Sequence, residues 1–219
     1  MQTTEEKEAI AKKNFNEFFR QWWFSILVMI LICITATFPQ TTIQQLALVH
    51  DKVASGEIWR IITSQFVHLN SNHTMLNLVG YLIVSVSFRE EISARREAIG
   101  LLICILGVGT GIFWLNSEIL WYVGLSGAIW GMLTHYLIVG WQRAPMLSLL
   151  FAMYMAGKTI YEQFMGGTDS FTGQAIGGFV AVDSHLYGIL TGMVIGVISL
   201  LINLKQSTNT IEKSSASSQ

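Results

Sequence analysis

Ser126 lies in Gly124-Leu125-Ser126-Gly127, with Gly131 further on, at the start of an apolar run. A serine hydroxyl is a weak nucleophile. It needs a base within hydrogen-bond reach, and donors for the oxyanion that forms on attack at a carbonyl. Glycines on both sides let backbone N–H groups come close to a ligand. At a helix N-terminus the first N–H groups are free and the dipole favours an anion. The motif is not the G-x-S-x-G elbow of soluble hydrolases, because Ala128 stands where the second glycine would be. His185 is the candidate base. It opens another apolar run and is followed by Gly188, Gly192 and Gly196, a small residue on every fourth position that permits close helix packing. If the neighbour is the helix carrying Ser126, the imidazole can take the hydroxyl proton and return it to a leaving amine. Trp130 is one turn from Ser126 on the same face and is placed to hold the ring by stacking. Asp183 is two residues from His185, roughly across the helix, so a Ser–His dyad is expected rather than an Asp-oriented triad.

His73 and Asn77 are four apart, on one helical face, and both can donate side-chain hydrogen bonds into an oxyanion hole. Core packing or a capping network is the plainer reading of the pair. Taken singly, Ser126 and His185 also have plain readings, a back-bonded helix serine and a satisfied core histidine. His68, just before this helix, is expected to make a structural hydrogen bond to a loop backbone, and His50 and His135 are read as structural. Lys158 is a rival base, since a desolvated lysine can serve, but Glu162 one turn on is its expected partner. Metal or haem binding through His68, His73 and His185 lacks an H-E-x-x-H or a suitably spaced carboxylate. Cys33 and Cys104 lie in apolar runs and read as buried small hydrophobes.

The elements that must position these groups are apolar. Of the 219 residues, 52% are hydrophobic and 12% charged, about half the charge of an ordinary soluble domain. Net charge is −1, with no basic stripe, so nucleic acid is not an expected partner. Six apolar segments predict an all-α membrane protein: Trp22 to Phe38, Thr74 to Phe88, Ala98 to Leu115, Ser126 to Gly140, Met146 to Ile160 and Val182 to Leu204. Residues 1–20 suit an amphipathic segment on the membrane surface, with Phe15, Phe18 and Phe19 among Lys12, Lys13 and Arg20. Residues 21–204 form the helical domain, and 205–219, polar and Ser-rich, are expected to be disordered. Positive charge fixes the orientation. Lys7, Lys12, Lys13, Arg20, Arg89, Arg95, Arg96, Arg143, Lys205 and Lys213 fall on one side, against Lys52 and Arg60 on the other. Both termini are therefore expected in the cytoplasm. The polar starts of spans two, four and six then share one depth at the outer face. That convergence brings His73, Asn77, Ser126 and His185 together.

In their order along the chain, Trp59-Arg60 in the long first loop (residues 39–72), His68 and His73-x-x-x-Asn77, Gly124-Leu125-Ser126-Gly127, and His185-x-x-Gly188-x-x-x-Gly192 resemble the rhomboid protease family. The resemblance covers about Glu57 to Leu204. It implies the six-helix rhomboid fold, no metal or cofactor, and an intramembrane serine endopeptidase whose Ser126 is nucleophile and His185 base. It further implies an oxyanion hole from His73, Asn77 and the Ser126 amide. Tyr122-Val123 before that motif, Gly157-Lys158 with Tyr161-Glu162, and Val182-Asp183-Ser184-His185-Leu186 look like the rhombosortase branch, although Trp130 stands where that branch typically has His. That branch implies a bacterial inner membrane and a site facing the periplasm. Its substrates would be anchored proteins with a C-terminal Gly-Gly motif, apolar helix and basic tail. The alternative within the same fold is a catalytically silent rhomboid-like protein that binds membrane clients.

Overall fold

A computed structural model describes residues 4–90, 92–165 and 168–216 of the chain. Helix α1 (Thr4–Thr35) is followed by a compact loop built of α2 (Gln40–Leu46), β1 (Leu48–Val49), α3 (His50–Ala54) and α4 (Arg60–Thr63). Then come α5 (Ser71–Ser87), α6 (Ala94–Leu115), β2 (Trp121–Tyr122), α7 (Ser126–Gly140), α8 (Pro145–Met165), α9 (Phe171–Ile176) and α10 (Val182–Ala216). The starts follow local chemistry. Asn70 caps α5 by accepting from His73 N at 3.0 Å, Ser93 caps α6, and Ser170 caps α9 by accepting from Gly173 N at 2.9 Å. Pro145 opens α8 at a position where its missing N–H costs nothing.

Among the described residues, the long helices α1, α5, α6, α7, α8 and α10 correspond to the six apolar segments, and α7 starts and ends where the fourth segment does. Among the described residues, three stretches are long and apolar enough to cross a membrane: Ile10–Thr35, Ala94–Leu115 and Val182–Lys205. Helices α5 and α7 have only 17 and 15 residues, and α8 carries Lys158, Glu162 and Gln163 in its second half. The chain is thus a helical, multi-pass membrane protein with three spans by this measure, where the apolar pattern led to an expectation of six. Two terminal expectations also differ. The amphipathic N-terminal segment is continuous with the first span in α1, because no Gly or Pro interrupts Thr4–Thr35. At the other end, α10 continues through Ala216, so residues 205–216 are helical where the polar composition suggested disorder; residues 217–219 lie outside the described residues.

Helix α7 is the centre. It is buried on nearly all sides and contacts α5, α6, α8 and α10. Its closest partner is α10. A Cβ on Gly188 would run into the Gly127 carbonyl oxygen, and one on Gly192 into that of Gly131. The small-residue stripe therefore lets two backbones touch, which no larger side chain at 188 would allow. The first loop is rigidly held. Arg60 is 7% exposed and pairs with Glu57 at 2.6 Å, and its Nη1 donates to the Gln44 and Ala47 carbonyls at 3.0 and 2.8 Å. Trp59 beside it is exposed. Strand β1 pairs antiparallel with β2, Leu48 opposite Tyr122, so the loop grips the segment that leads into Ser126.

Candidate active site

Ser126 is the first residue of α7, so its N–H is among the donors that the helix leaves unused. The turn before it is fixed from three directions. Gly124 N donates to Ser64 O at 2.9 Å, and the Tyr122 hydroxyl donates to Gly124 O at 2.8 Å. The third is the His73 ring, which lies where a Cβ of Gly124 would be, 2.6 Å from that position. Gly124 also has φ +113°, so glycine is required here both by the backbone and by the ring against it.

His185, 2% exposed, enters from the first turn of α10. Its Nε2 lies 3.1 Å from Ser126 Oγ. The imidazole stacks on the Trp130 indole, centroids 5.1 Å apart and planes at 25°, and Trp130 in turn stacks on Tyr154 of α8 at 6.3 Å and 16°. The structure thus brings Ser126, His185 and Trp130 together, with Gly127 and Gly188 making the contact between their helices possible.

His73 and Asn77 occupy the facing side on α5. His73 Nδ1 accepts from Leu69 N at 3.4 Å, which leaves the proton on Nε2, the edge that faces Gly124. Asn77 Nδ2 donates one proton to His73 O at 2.9 Å and keeps a second; its Oδ1 has no partner. Both side chains are buried. His73 of α5 thus lies against the Gly124 turn that leads into the free N-terminus of α7, and Asn77, one turn on, keeps an unused amide proton.

Several expectations require correction. His68 does not hydrogen-bond a loop backbone: neither ring nitrogen has a partner, and the ring packs edge-on against His73, centroids 5.1 Å apart. Burial, and next the neighbouring His73, push its imidazole down to about 3, so it is neutral and serves as packing. Cys33 is exposed rather than buried; Cys104 is buried, and both are free. The expectations for Asp183, His50, His135 and the Lys158–Glu162 pair agree with the coordinates. Asp183 faces Asn116, away from the imidazole. His50 lies 3.3 Å from Phe113 O and His135 Nε2 lies 3.2 Å from Ser199 Oγ, both structural settings. Lys158 bonds to Glu162 and, at 2.7 Å, to Thr172 Oγ1. Among the described residues, no three His, Cys, Asp or Glu side chains form a metal-ligand cluster.

A further contact to the imidazole comes from α8. Glu162 Oε2 lies 2.8 Å from His185 Nδ1, and the carboxylate is 1% exposed. The sequence assigned Glu162 only to Lys158. The signal that was available is the spacing itself: a carboxylate one turn beyond a lysine in an apolar helix has two oxygens, and the lysine engages one.

Residues 55–202 match the family described as Rhomboid domain. Among curated proteins, the chain is similar to RHOMBOID-like protein 6, mitochondrial, of Arabidopsis thaliana, with 31% identity over 171 residues, 74% of this chain and 50% of that protein. It is also similar to RHOMBOID-like protein 4 of the same plant, with 26% identity over 68% of this chain and 36% of the relative. The chain spans about half the length of these relatives or less.

Proposed function

The chain belongs to the rhomboid family, and from that premise we propose that it is an intramembrane serine endopeptidase. The observation that carries the reading is the 3.1 Å approach of His185 Nε2 to Ser126 Oγ at the free N-terminus of α7. In this mechanism Ser126 Oγ attacks a substrate carbonyl carbon while its proton passes to His185 Nε2. The oxyanion is received by His73 Nε2–H, the second Asn77 amide proton and the Ser126 N–H. His185 then gives its proton to the leaving amine as the C–N bond breaks, and water or another amine resolves the acyl-enzyme.

The length of α7 supports attack below the membrane surface. Fifteen residues span about 22 Å, short of the ~30 Å hydrocarbon core, so the helix can begin inside a hydrated cavity while its other end reaches the opposite face. Substrates in this reading are anchored proteins with a C-terminal transmembrane helix. Glycines at the cut site favour local unwinding because each weakens a helix by ~1 kcal/mol. The Tyr122 to Gly127, Gly157-Lys158, Tyr161-Glu162 and Val182 to Leu186 motifs extend the proposal to a rhombosortase-like enzyme acting at or near a Gly-Gly motif. It would sit in a bacterial inner membrane with both termini cytoplasmic and the site facing the periplasm.

Two measurements test the two levels of this reading. A fluorophosphonate probe should label the wild-type protein and leave Ser126→Ala unlabelled; an unlabelled wild type removes the protease. A reporter carrying a Gly-Gly motif ahead of its C-terminal helix should be cut by the wild type and left whole by Ser126→Ala. Labelling without cutting of that reporter would keep the protease and discard the subgroup.

A further inference from the structure

We propose that Glu162 is a positioning residue that turns the Ser126–His185 pair into a carboxylate-oriented triad and ties the base to helix α9; this rests on the protease reading above. Glu162 projects from the last turns of α8 and is shared between two partners. Oε2 faces His185 Nδ1 at 2.8 Å. Oε1 takes the Lys158 ammonium and the Thr172 hydroxyl, the latter at 3.2 Å. Lys158 Nζ in turn donates to Thr172 Oγ1 at 2.7 Å.

A lysine partner alone would need one carboxylate oxygen. The second is aimed at the ring nitrogen opposite the one that faces Ser126, and both side chains are almost fully buried. An ionised carboxylate only accepts, so Nδ1 must carry a proton. Nε2 is then left with its lone pair toward the hydroxyl. When Nε2 takes the serine proton, the imidazolium has a negative neighbour, and Glu162 remains ionised throughout. Stacking on Trp130 fixes the plane of the ring, whereas Glu162 fixes its rotation within that plane.

Lys158 and Thr172 give the carboxylate its own orientation. Thr172 belongs to α9, which is held to α5 by Asn72 Nδ2 donating to Ala175 O at 3.0 Å and by the Asn70 amide donating to Ile176 O. The base is therefore oriented only while α8, α9 and α10 are assembled around Glu162. Lys158 acts through Glu162 and takes no proton from Ser126.

The experiment measures the rate of fluorophosphonate labelling of Ser126 in the full-length protein in detergent. Wild type, Glu162→Gln, Glu162→Asp, Lys158→Met and Ser126→Ala are compared, with thermal unfolding of each. Glu162→Gln is expected to fold and to label roughly 10²- to 10⁴-fold more slowly, because a neutral amide can hold the wrong tautomer. Glu162→Asp should recover part of the loss, and Lys158→Met, which loosens the carboxylate without removing it, should fall between wild type and Glu162→Gln. A structural role alone would lower thermal stability without slowing the folded fraction. Should Glu162→Gln not fold, the ¹⁵N-histidine spectrum of the wild type decides, with a hydrogen-bonded Nδ1–H expected for His185. A proton on Nε2 instead, or Glu162→Gln labelling at close to the wild-type rate, overturns the positioning role while leaving Ser126 as nucleophile. Loss in Lys158→Met with Glu162→Gln near wild type would make lysine the base and overturn it too. An unlabelled wild type, by contrast, would fail the protease reading itself.

Discussion

Two buried glutamates, Glu97 and Glu162, lie at opposite ends of the helix bundle and are solvated by protein in different ways. Glu97 is fully buried and collects four side chains. Ser25 reaches its two oxygens at 2.9 and 2.8 Å, Tyr81 and Ser85 reach Oε1 at 2.7 and 3.0 Å, and Arg89 pairs with Oε2 at 2.8 Å. Arg89 also donates to Gln21 O at 3.0 Å and to Ile92 O at 2.8 Å. Three helices, α1, α5 and α6, are thereby locked with the carboxylate's capacity filled. Glu162 has fewer donors, and one of them is the ring that faces the nucleophile. Twelve residues along α5, roughly 18 Å, separate Ser85, which serves Glu97, from His73, which faces the Gly124 turn. Unpartnered buried polar atoms occur at both ends: the Ser64 hydroxyl, the Gln65 amide, both His68 nitrogens and Asn77 Oδ1 near the hydroxyl of Ser126, and Arg89 Nε, His135 Nδ1 and the Tyr136 hydroxyl around Glu97. The difference lies in the carboxylates themselves: one whose donors all come from the fold's own framework locks helices, and one that gives an oxygen to the imidazole can orient chemistry.

The largest effect that would break this contrast is expected at Glu97. Glu97→Ala leaves Arg89 buried and unpaired, which costs about 3–5 kcal/mol. Thermal unfolding should shift far downward or the protein should fail to accumulate, and any folded fraction should label with fluorophosphonate at the wild-type rate. A stable Glu97→Ala protein with slow labelling would mean that this end also serves the chemistry.

Gly188→Ala comes next. Its methyl group meets the Gly127 carbonyl oxygen, and overpacking of this kind costs about 1–3 kcal/mol. Because the strain falls between the helices that carry Ser126 and His185, labelling should fall further than stability does. Equal labelling per folded molecule would show that the hydroxyl and the ring tolerate separation of α7 and α10. Tyr81→Phe sharpens the other side: it removes one of four donors to Glu97, for about 1–2 kcal/mol, with labelling unchanged.

The sequence made legible what depends on glycine and on periodicity. The α7 limits followed from the apolar run and its flanking glycines, and the approach of α10 followed from Gly188 and Gly192. Opposite charges far apart in sequence were not legible. Arg89 reads as a cytoplasmic charge, yet it is buried against Glu97, because a local pattern cannot say that α1, α5 and α6 close around it. By spacing Glu162 belongs to Lys158 four residues before it, and its partner 23 residues away leaves no local signal. Such a contact depends on how α8 leans on α10, and no apolar period records that.

His68 gives the smallest effect and bears most directly on the contrast. It lies in the loop before α5, neutral and unpartnered, with its pKa pushed down to about 3 by burial and by His73. In the unfolded chain an imidazole binds its proton near pH 6.5. The folded protein binds fewer protons between those values, so the stability held above about pH 6.5 is lost progressively as pH falls toward 3. The loss amounts to about 1 kcal/mol for the first unit below 6.5. His68→Phe keeps the ring packed against His73 and removes the titration, so its thermal midpoint should decline less than that of wild type between pH 7 and pH 5.5. Parallel declines would place the acid sensitivity elsewhere, and a steeper decline at the Glu97 end, read from hydrogen exchange in α6, would reverse the ranking of the two ends.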